Sequence, residues 1–200
     1  MRESFIDFMK RELFPETVLI ACGLPASYKT ETTEVIAELM GFTMLRTDLI
    51  RLEVLKNEDI FDEKVAADMK KRELVYDEMF SRADTLAAKG EGIILDATFI
   101  TQALRIRAAD IAARHEKYFI IQETQCPKEV SLRRISERTK EKYESNALTE
   151  QAYLNNKNKF QPVDLTEFKK QYPSLRISHL IVDTTSDLTD EWLVVGRKTG

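Results

Sequence analysis

Short runs of apolar residues alternate along this chain with longer stretches in which apolar positions recur every three or four residues. The runs are the pattern of strands buried on both faces, and the stretches that of helices carrying one apolar stripe. Thr17–Cys22 (TVLIAC) is the first run; Phe42–Leu45, Gly92–Asp96 (GIILD), Tyr118–Gln122 and Ile177–Asp183 follow. Between the first two, Lys29–Met40 carries Val35, Ile36, Leu39 and Met40 on one stripe and meets Gly41, where a left-handed residue ends a helix. A long helix is expected from an Asp62 N-cap to Gly90, its inner face formed by residues such as Tyr76, Phe80 and Ala83. Thr101–Arg114 is a further helix, and Pro127 opens another that runs to about Arg138. Thr149 caps a helix ending near Phe160, and Asp164 with Glu167 signals a short one. Leu188, Trp192 and Val195 predict a closing helix, and Phe5, Phe8, Met9 and Leu13 predict an amphipathic one within the first 14 residues. Strand–helix–strand repetition of this kind specifies an α/β fold with a parallel sheet covered on both faces.

Composition narrows the function without naming it. The 200 residues are 43% hydrophobic and 32% charged, enough for a sizeable core and too rich in apolar side chains for disorder. No Gly, Ser or Pro-rich linker divides the chain, so residues 1–200 read as a single domain. The net charge of −4 argues against wholesale wrapping of nucleic acid. The longest apolar runs fall far short of the roughly 18 residues of a membrane span, so no membrane partner is expected. Two cysteines 104 positions apart share no metal-ligand spacing, which suits reduced thiols and a cytoplasmic location. An apolar stripe can face a core or a second subunit equally, so oligomeric state is left open.

The turn after the first strand carries candidate chemistry. Gly23-Leu24-Pro25-Ala26-Ser27-Tyr28-Lys29-Thr30 matches G-x-x-x-x-G-K-[ST] at three of its four fixed positions, between a strand and a helix as that motif requires. In such a loop backbone N–H groups and the positive end of the helix converge on phosphate oxygens. Lys29 would add a charge at the outer phosphates, and the Thr30 hydroxyl would ligate Mg²⁺. Tyr28 stands at the second glycine position, where a left-handed backbone costs a non-glycine residue roughly 1–2 kcal/mol. An ordinary turn with an exposed lysine fits the same eight residues in isolation; their setting favours the phosphate loop.

Charged residues follow at the edge where open parallel sheets bind ligands. Asp48 and Arg51, spaced i, i+3 after the second strand, share a helical face: Asp48 could accept the proton of an attacking hydroxyl and Arg51 could orient the acceptor. Asp96 ends the third strand as the acid that typically supports Mg²⁺. Arg105 and Arg107 are candidates for acceptor contact. Arg134 and Arg138, spaced i, i+4, head a polar stretch that reads as a lid over about residues 134–149, from which they could neutralise the transferring phosphoryl group. A solvated ion pair, a turn cap at Asp96 or a basic helix face explains each of these taken alone.

Together these residues resemble the P-loop kinase group that includes polynucleotide 5′-hydroxyl kinases, zeta-toxin-like kinases and AAA-type predicted kinases. The likeness runs from about Val18 to Val163 and rests on GLPASYKT, on Asp48 and Arg51, on LDATF, on Arg134 and Arg138, on Ser145-Asn146-Ala147 and on Phe160-Gln161-Pro162. It implies a three-layer P-loop NTPase fold, a five-stranded parallel sheet of the nucleoside-monophosphate-kinase type with a helical lid. It also implies ATP and Mg²⁺ as cofactors and transfer to a hydroxyl. By position it assigns nucleotide contacts to Gly23, Pro25, Ala26, Ser27, Tyr28, Lys29, Thr30 and Arg138, and the metal to Thr30 and Asp96. Catalysis falls to Lys29, Asp48, Arg51 and Arg134. A small molecule or a nucleic-acid end could be the acceptor. A nucleotide-binding regulatory module, impaired in catalysis by Tyr28, is the alternative expectation.

Overall fold

The computed structural model describes residues 1–60, 65, 68–137 and 149–200. Among them, β2 (Thr17–Gly23) is buried at all seven positions, as its unbroken apolar run requires. It pairs in parallel with β4 (Ile93–Asp96) on one side and β5 (Tyr118–Gln125) on the other. β3 (Thr43–Arg46) adds beyond β4, and β6 (Ile177–Asp183) beyond β5. The chain therefore builds outward from β2 first one way and then the other, which makes the C-terminal end of β2 the switch point where such sheets bind ligands.

These five parallel strands are the ones the sequence predicts, and the fold is α/β of the P-loop kinase type; the sheet, however, has seven. β1 (Glu3–Ser4) and β7 (Leu193–Thr199) extend the β6 edge, both antiparallel to their neighbours. The expected closing helix is thus corrected to a strand, preceded by a single 3₁₀ turn at Thr189–Glu191. Leu188, Trp192 and Val195 fall at helical spacing without sharing a helix: Leu188 is exposed, whereas Trp192 is buried and donates its indole N–H to the Ser186 carbonyl. A β6 edge offering unpaired backbone groups is a stronger determinant than that spacing.

Helices cover both faces. α1 (Phe5–Glu12), capped by Ser4, and α2 (Lys29–Met40) pack Phe5, Phe8, Met9 and Ile36 against Leu19, Ile94 and Ile120. The other face receives α3 (Thr47–Val54), α4 (Met69–Ala88) and α5 (Gln102–Arg114), followed after β5 by α6 (Lys128–Ser136), α7 (Glu150–Lys159) and α8 (Leu165–Gln171). Of these, α3, α4, α5 and α8 contribute to the core that includes Val18, Ile20, Met79, Phe99 and Phe168. α4 takes its N-cap from Asp68, whose carboxylate accepts from the Lys70 and Lys71 amides; the Asp62 cap expected for it lies outside the described residues. Arg138 and Ser145-Asn146-Ala147 lie outside them as well. No helix among the described residues is long and apolar enough to cross a membrane.

Candidate active site

The segment from Gly23 to Lys29 joins β2 to α2, and its backbone turns through left-handed conformations at Ala26 (φ 58°) and Tyr28 (φ 56°). Gly23 is required: at φ 142° a Cβ there would stand 2.6 Å from the Thr124 carbonyl oxygen. The loop is pinned from below. Ser27 Oγ lies 2.8 Å from the Leu24 carbonyl and 2.7 Å from Thr124 Oγ1, and Thr184 Oγ1 donates to the Ser27 carbonyl at 2.9 Å.

Tyr28 keeps the conformation that glycine would take, and its side chain leaves the loop. The hydroxyl donates to Asp187 Oδ1 at 2.9 Å, and the ring lies with its centroid 3.6 Å from the Arg134 guanidinium carbon and 5.6 Å from the Trp192 ring. A cation–π contact at partial burial is worth about 1–2 kcal/mol, comparable to the backbone strain it accompanies. The ring is absent from the lining of the cavity beside Gly23, Leu24 and Ser27.

Arg134 is only 5% exposed and every N–H group it carries has a protein acceptor. Nε donates to Asp187 Oδ1 at 2.9 Å, Nη1 to the Ala26 carbonyl at 3.3 Å, and Nη2 to the carbonyls of Thr184, Thr185 and Ser186 at 2.9 to 3.1 Å. The expectation that it reaches from a lid toward a phosphoryl group is therefore corrected: it braces the back of the loop. Arg133 adds a bond to Asp187 Oδ2 at 2.7 Å. Hydrogen bonds from Arg133, then Tyr28 and Arg134, hold the Asp187 carboxyl down at about 2.

On the other flank, the Lys29 ammonium donates to the Leu24 carbonyl at 2.7 Å, folded over the loop it would serve. Thr30 Oγ1 donates to Asp96 Oδ2 at 2.6 Å. Asp96 is 5% exposed; burial raises its carboxyl to about 6, against the opposing pull of the Thr30 hydroxyl and Lys29. Two hard oxygen ligands from adjacent elements suit a Mg²⁺ ion, which keeps several waters and takes its remaining oxygens from phosphates. Asp48 and Arg51 share α3 and are both half-buried, with the Asp48 charge felt at Asp96.

Arg46, to which no sequence motif points, sits among three carboxylates. Nη1 is 3.4 Å from Glu34 Oε1, Nη2 is 3.9 Å from Asp48 Oδ2, and Nε is 3.9 Å from Asp96 Oδ2. The Nε group is buried and has no hydrogen-bond acceptor among the described residues. The signal that could have found it is register: in the parallel pairing of β3 with β4, Arg46 stands opposite Asp96.

Arg105 is also corrected. It is fully buried, donates from Nε to the Phe99 carbonyl (2.9 Å) and from Nη1 to the Pro162 carbonyl (3.2 Å), and ties down the loop after β4 where Phe99 adopts φ 43°. Arg107 pairs with Asp77 at 2.6 Å and lies over Phe80 on the outside of α4 and α5. A groove of about 530 Å³ there is lined by such ion pairs and shares no residue with the loop. Beside the loop itself is a cavity of about 300 Å³ between the ends of β2 and β5, α6 and α7.

A phosphate-type loop at the switch strand, an acid ending the neighbouring strand and helices on both faces define a P-loop protein with a kinase-like fold. The chain belongs to the AAA domain family AAA_33, which it matches over residues 18–163. Among similar solved structures is a sugar kinase from Janibacter sp. HTCC2649 (14% identity, TM-score 0.61, 85% of this chain and 86% of that one covered). Another is the AvrRxo1-ORF1:-ORF2 complex with ATP (15%, TM-score 0.56, 97% and 61% covered). A third comes from the PezAT chromosomal toxin–antitoxin system of Streptococcus pneumoniae (13%, TM-score 0.57, 89% and 72% covered). At these identities the likeness is one of fold. No curated protein matches the sequence.

Proposed function

We propose that this protein is a phosphotransferase that moves the γ-phosphoryl group of MgATP to a hydroxyl. The observation that carries the reading is the 2.6 Å contact between the Thr30 hydroxyl and the buried Asp96 carboxylate, one residue from Lys29 at the switch point of the sheet. A solved structure of this fold with ATP supports the choice of nucleotide. The loop amides of Gly23 to Thr30 bind phosphate oxygens, with Pro25, Ala26, Ser27 and Tyr28 setting the loop's shape. Lys29 exchanges the Leu24 carbonyl for the outer phosphates. Thr30 and Asp96 would hold Mg²⁺, which supplies charge neutralisation at the phosphates when bound. Asp48 takes the proton of the acceptor hydroxyl and Arg51 orients that acceptor. Arg134 acts at one remove, by fixing the Ala26 carbonyl.

A second reading, a nucleotide-binding module with impaired transfer, draws on Arg134: engaged as it is, it brings no charge to a phosphoryl group in flight. Calorimetric titration with MgATP, run beside ADP release over a panel of acceptors, separates the two. Transfer lowered about 10²–10⁴-fold by Asp48→Asn, with MgATP affinity kept, is the outcome for a kinase that uses this base. Tight MgATP binding with no turnover, regained in Tyr28→Gly, is the outcome for the module. Absence of MgATP binding removes both.

A further inference from the structure

The floor of the 300 Å³ cavity beside the phosphate loop holds a carboxylate that the chemistry above does not use. Glu123, near the end of β5, has a side chain 14% exposed. Its Oε2 lies 2.9 Å from Nε2 of His179, on the adjacent strand β6, and Gln125 Nε2 donates to its Oε1 at 2.8 Å. Burial by itself would raise this carboxyl; the bonds from His179 and Gln125, with Arg105 nearby, hold it below its ordinary value. It is an ionised acceptor with a protein partner on each oxygen and lone pairs left over. His179 is 4% exposed, and its Nδ1 meets no partner among the described residues. A buried imidazole of this kind fixes the carboxylate in one orientation.

Thr124, Gln125, Ser131 and Tyr153 also line the cavity, their polar groups already engaged with Ser27, Glu123, Cys126 and Ser131 respectively, and Lys128 and Lys157 are among its lining residues. Lys128 is already paired with Glu150 at 3.0 Å. Aromatic surface for stacking a base is scarce: Tyr153 is 3% exposed, and Phe160 has the Arg105 guanidinium over its ring at 5.0 Å. A volume of about 300 Å³ equals about ten waters and lies at the small end of ligand sites. Leu24, which lines the cavity, is also the residue whose carbonyl holds the Lys29 ammonium, so the cavity adjoins the lysine that would meet the outer phosphate.

We propose that this cavity is the acceptor subsite, that its ligand is a small polyol of sugar size, and that Glu123, oriented by His179, receives the polyol's hydroxyl hydrogens. The inference rests on the kinase reading and adds the acceptor class to it. An ionised carboxylate at the floor favours clustered hydroxyl donors and repels the phosphodiesters that flank a nucleic-acid end. Neither Asp48 nor Arg51 lines the cavity, so in this arrangement the reacting hydroxyl extends out of the cavity to meet them beside Lys29 while the others stay on Glu123.

The test needs no mutation to begin. Cys126 lines the cavity and is half-buried, whereas Cys22 is fully buried with its thiol pushed up to about 12 and does not compete for an alkylating reagent. In wild-type protein holding MgADP, ribose, glucose, gluconate, adenosine and a 5′-hydroxyl oligonucleotide are compared for slowing iodoacetamide labelling of Cys126 and for accelerating ADP release from MgATP. The expected result is at least a threefold effect in both readouts from one of the three polyols and none from the oligonucleotide. In Glu123→Gln the same polyol should show a KM raised tenfold or more with kcat changed less than threefold. Should that variant not fold, the wild-type protection stands as the test. Transfer to adenosine or the oligonucleotide instead, or MgATP binding with no polyol protecting Cys126, overturns the inference and leaves the kinase reading intact. Failure to bind MgATP at all overturns the kinase reading and this inference with it.

Discussion

Two arginines flank the phosphate loop, and the protein treats them in opposite ways. Arg134, behind the loop, has an acceptor for every donor and an aromatic ring over its face. Arg46, in front, keeps a buried Nε without an acceptor among the described residues and stands 3.9 Å from each of two carboxylates. The rear flank is complete as it stands: it sets the left-handed turn at Ala26 and Tyr28 and has nothing left to offer a ligand. The front flank holds its charges in an unsettled balance, with Asp96 buried and its carboxyl raised to about 6. Unsatisfied buried groups are costly, and at the front flank this one lies beside the Thr30 and Asp96 oxygens that would hold a metal. The difference separates the part of the loop that holds shape from the part that holds ligand.

The largest break in that comparison is Arg134→Met. It leaves the carbonyls of Ala26, Thr184, Thr185 and Ser186 without this donor and takes the cation from beneath Tyr28. Asp187 is 45% exposed and can rehydrate, which moderates the loss. A destabilisation of about 2–4 kcal/mol is expected in urea unfolding. MgATP affinity should fall with it, because the loop loses its rear support. A variant as stable as wild type would mean that the rear flank does not set the loop.

Next in size is the pH response, where the flanks differ in sign. Folded protein retains the Asp96 proton up to about pH 6, whereas an unfolded chain releases it near 3.8. The fold binds more protons in that window, so this group's contribution to stability falls as pH rises from about 4 to about 6, by about 2–3 kcal/mol at most. Asp187 is held near 2, so its contribution is present above about pH 4 and is lost as pH falls toward 2. Asp96→Asn should therefore stabilise ligand-free protein at pH 8 by about 1–3 kcal/mol and abolish the Mg²⁺ dependence of nucleotide binding. Denaturation curves at pH 5 and pH 8 in both proteins measure it; an Asp96→Asn variant less stable than wild type at pH 8 would refute the account of the front flank.

What is legible in the sequence follows the same division. Chain-local signals yield the five parallel strands, the loop and the acids after β3 and at the end of β4, because each is written in consecutive residues. Arg134 stands out in the sequence, yet its role there is misassigned, because its partners, Ala26 and residues 184–187, lie about 50 or more positions away. Arg46 and the Glu123–His179 pair escape notice for a related reason: register across parallel strands brings them to their partners, and register is not written in either strand alone. The closing strand β7 passes for a helix because three apolar residues at helical spacing carry no record of the open sheet edge that β6 leaves earlier in the chain.

Tyr28 joins the loop to the rear flank, and two substitutions divide its roles. Tyr28→Phe removes only the bond to the partly exposed Asp187, a loss of about 0.5–1.5 kcal/mol. Tyr28→Gly relieves the left-handed strain at φ 56° and gives up the ring, two terms of about 1 kcal/mol with opposite sign. Its stability should therefore stay closer to wild type than that of Arg134→Met. Were Tyr28→Gly to destabilise the protein as much as Arg134→Met does, the support of the loop would belong to the ring rather than to the guanidinium.

Arg46→Met has the smallest effect on stability and the most specific one on the metal. The guanidinium donates no hydrogen bond to Asp96 or Asp48, and its contacts with them at 3.9 Å are long for ion pairs. Removing it forfeits the 3.4 Å contact with exposed Glu34, worth under about 1 kcal/mol. It also deletes a positive charge next to the carboxylate that Mg²⁺ would share with Thr30. Cation and metal compete for the same oxygen, Asp96 Oδ2, so the Mg²⁺ concentration giving half-maximal binding of a fluorescent ATP analogue should fall several-fold in the Arg46→Met variant. Were it to rise instead, Arg46 would be holding Asp96 in place for the metal rather than competing with it. Both flanks would then be scaffolding, and the contrast between them would reduce to one of packing.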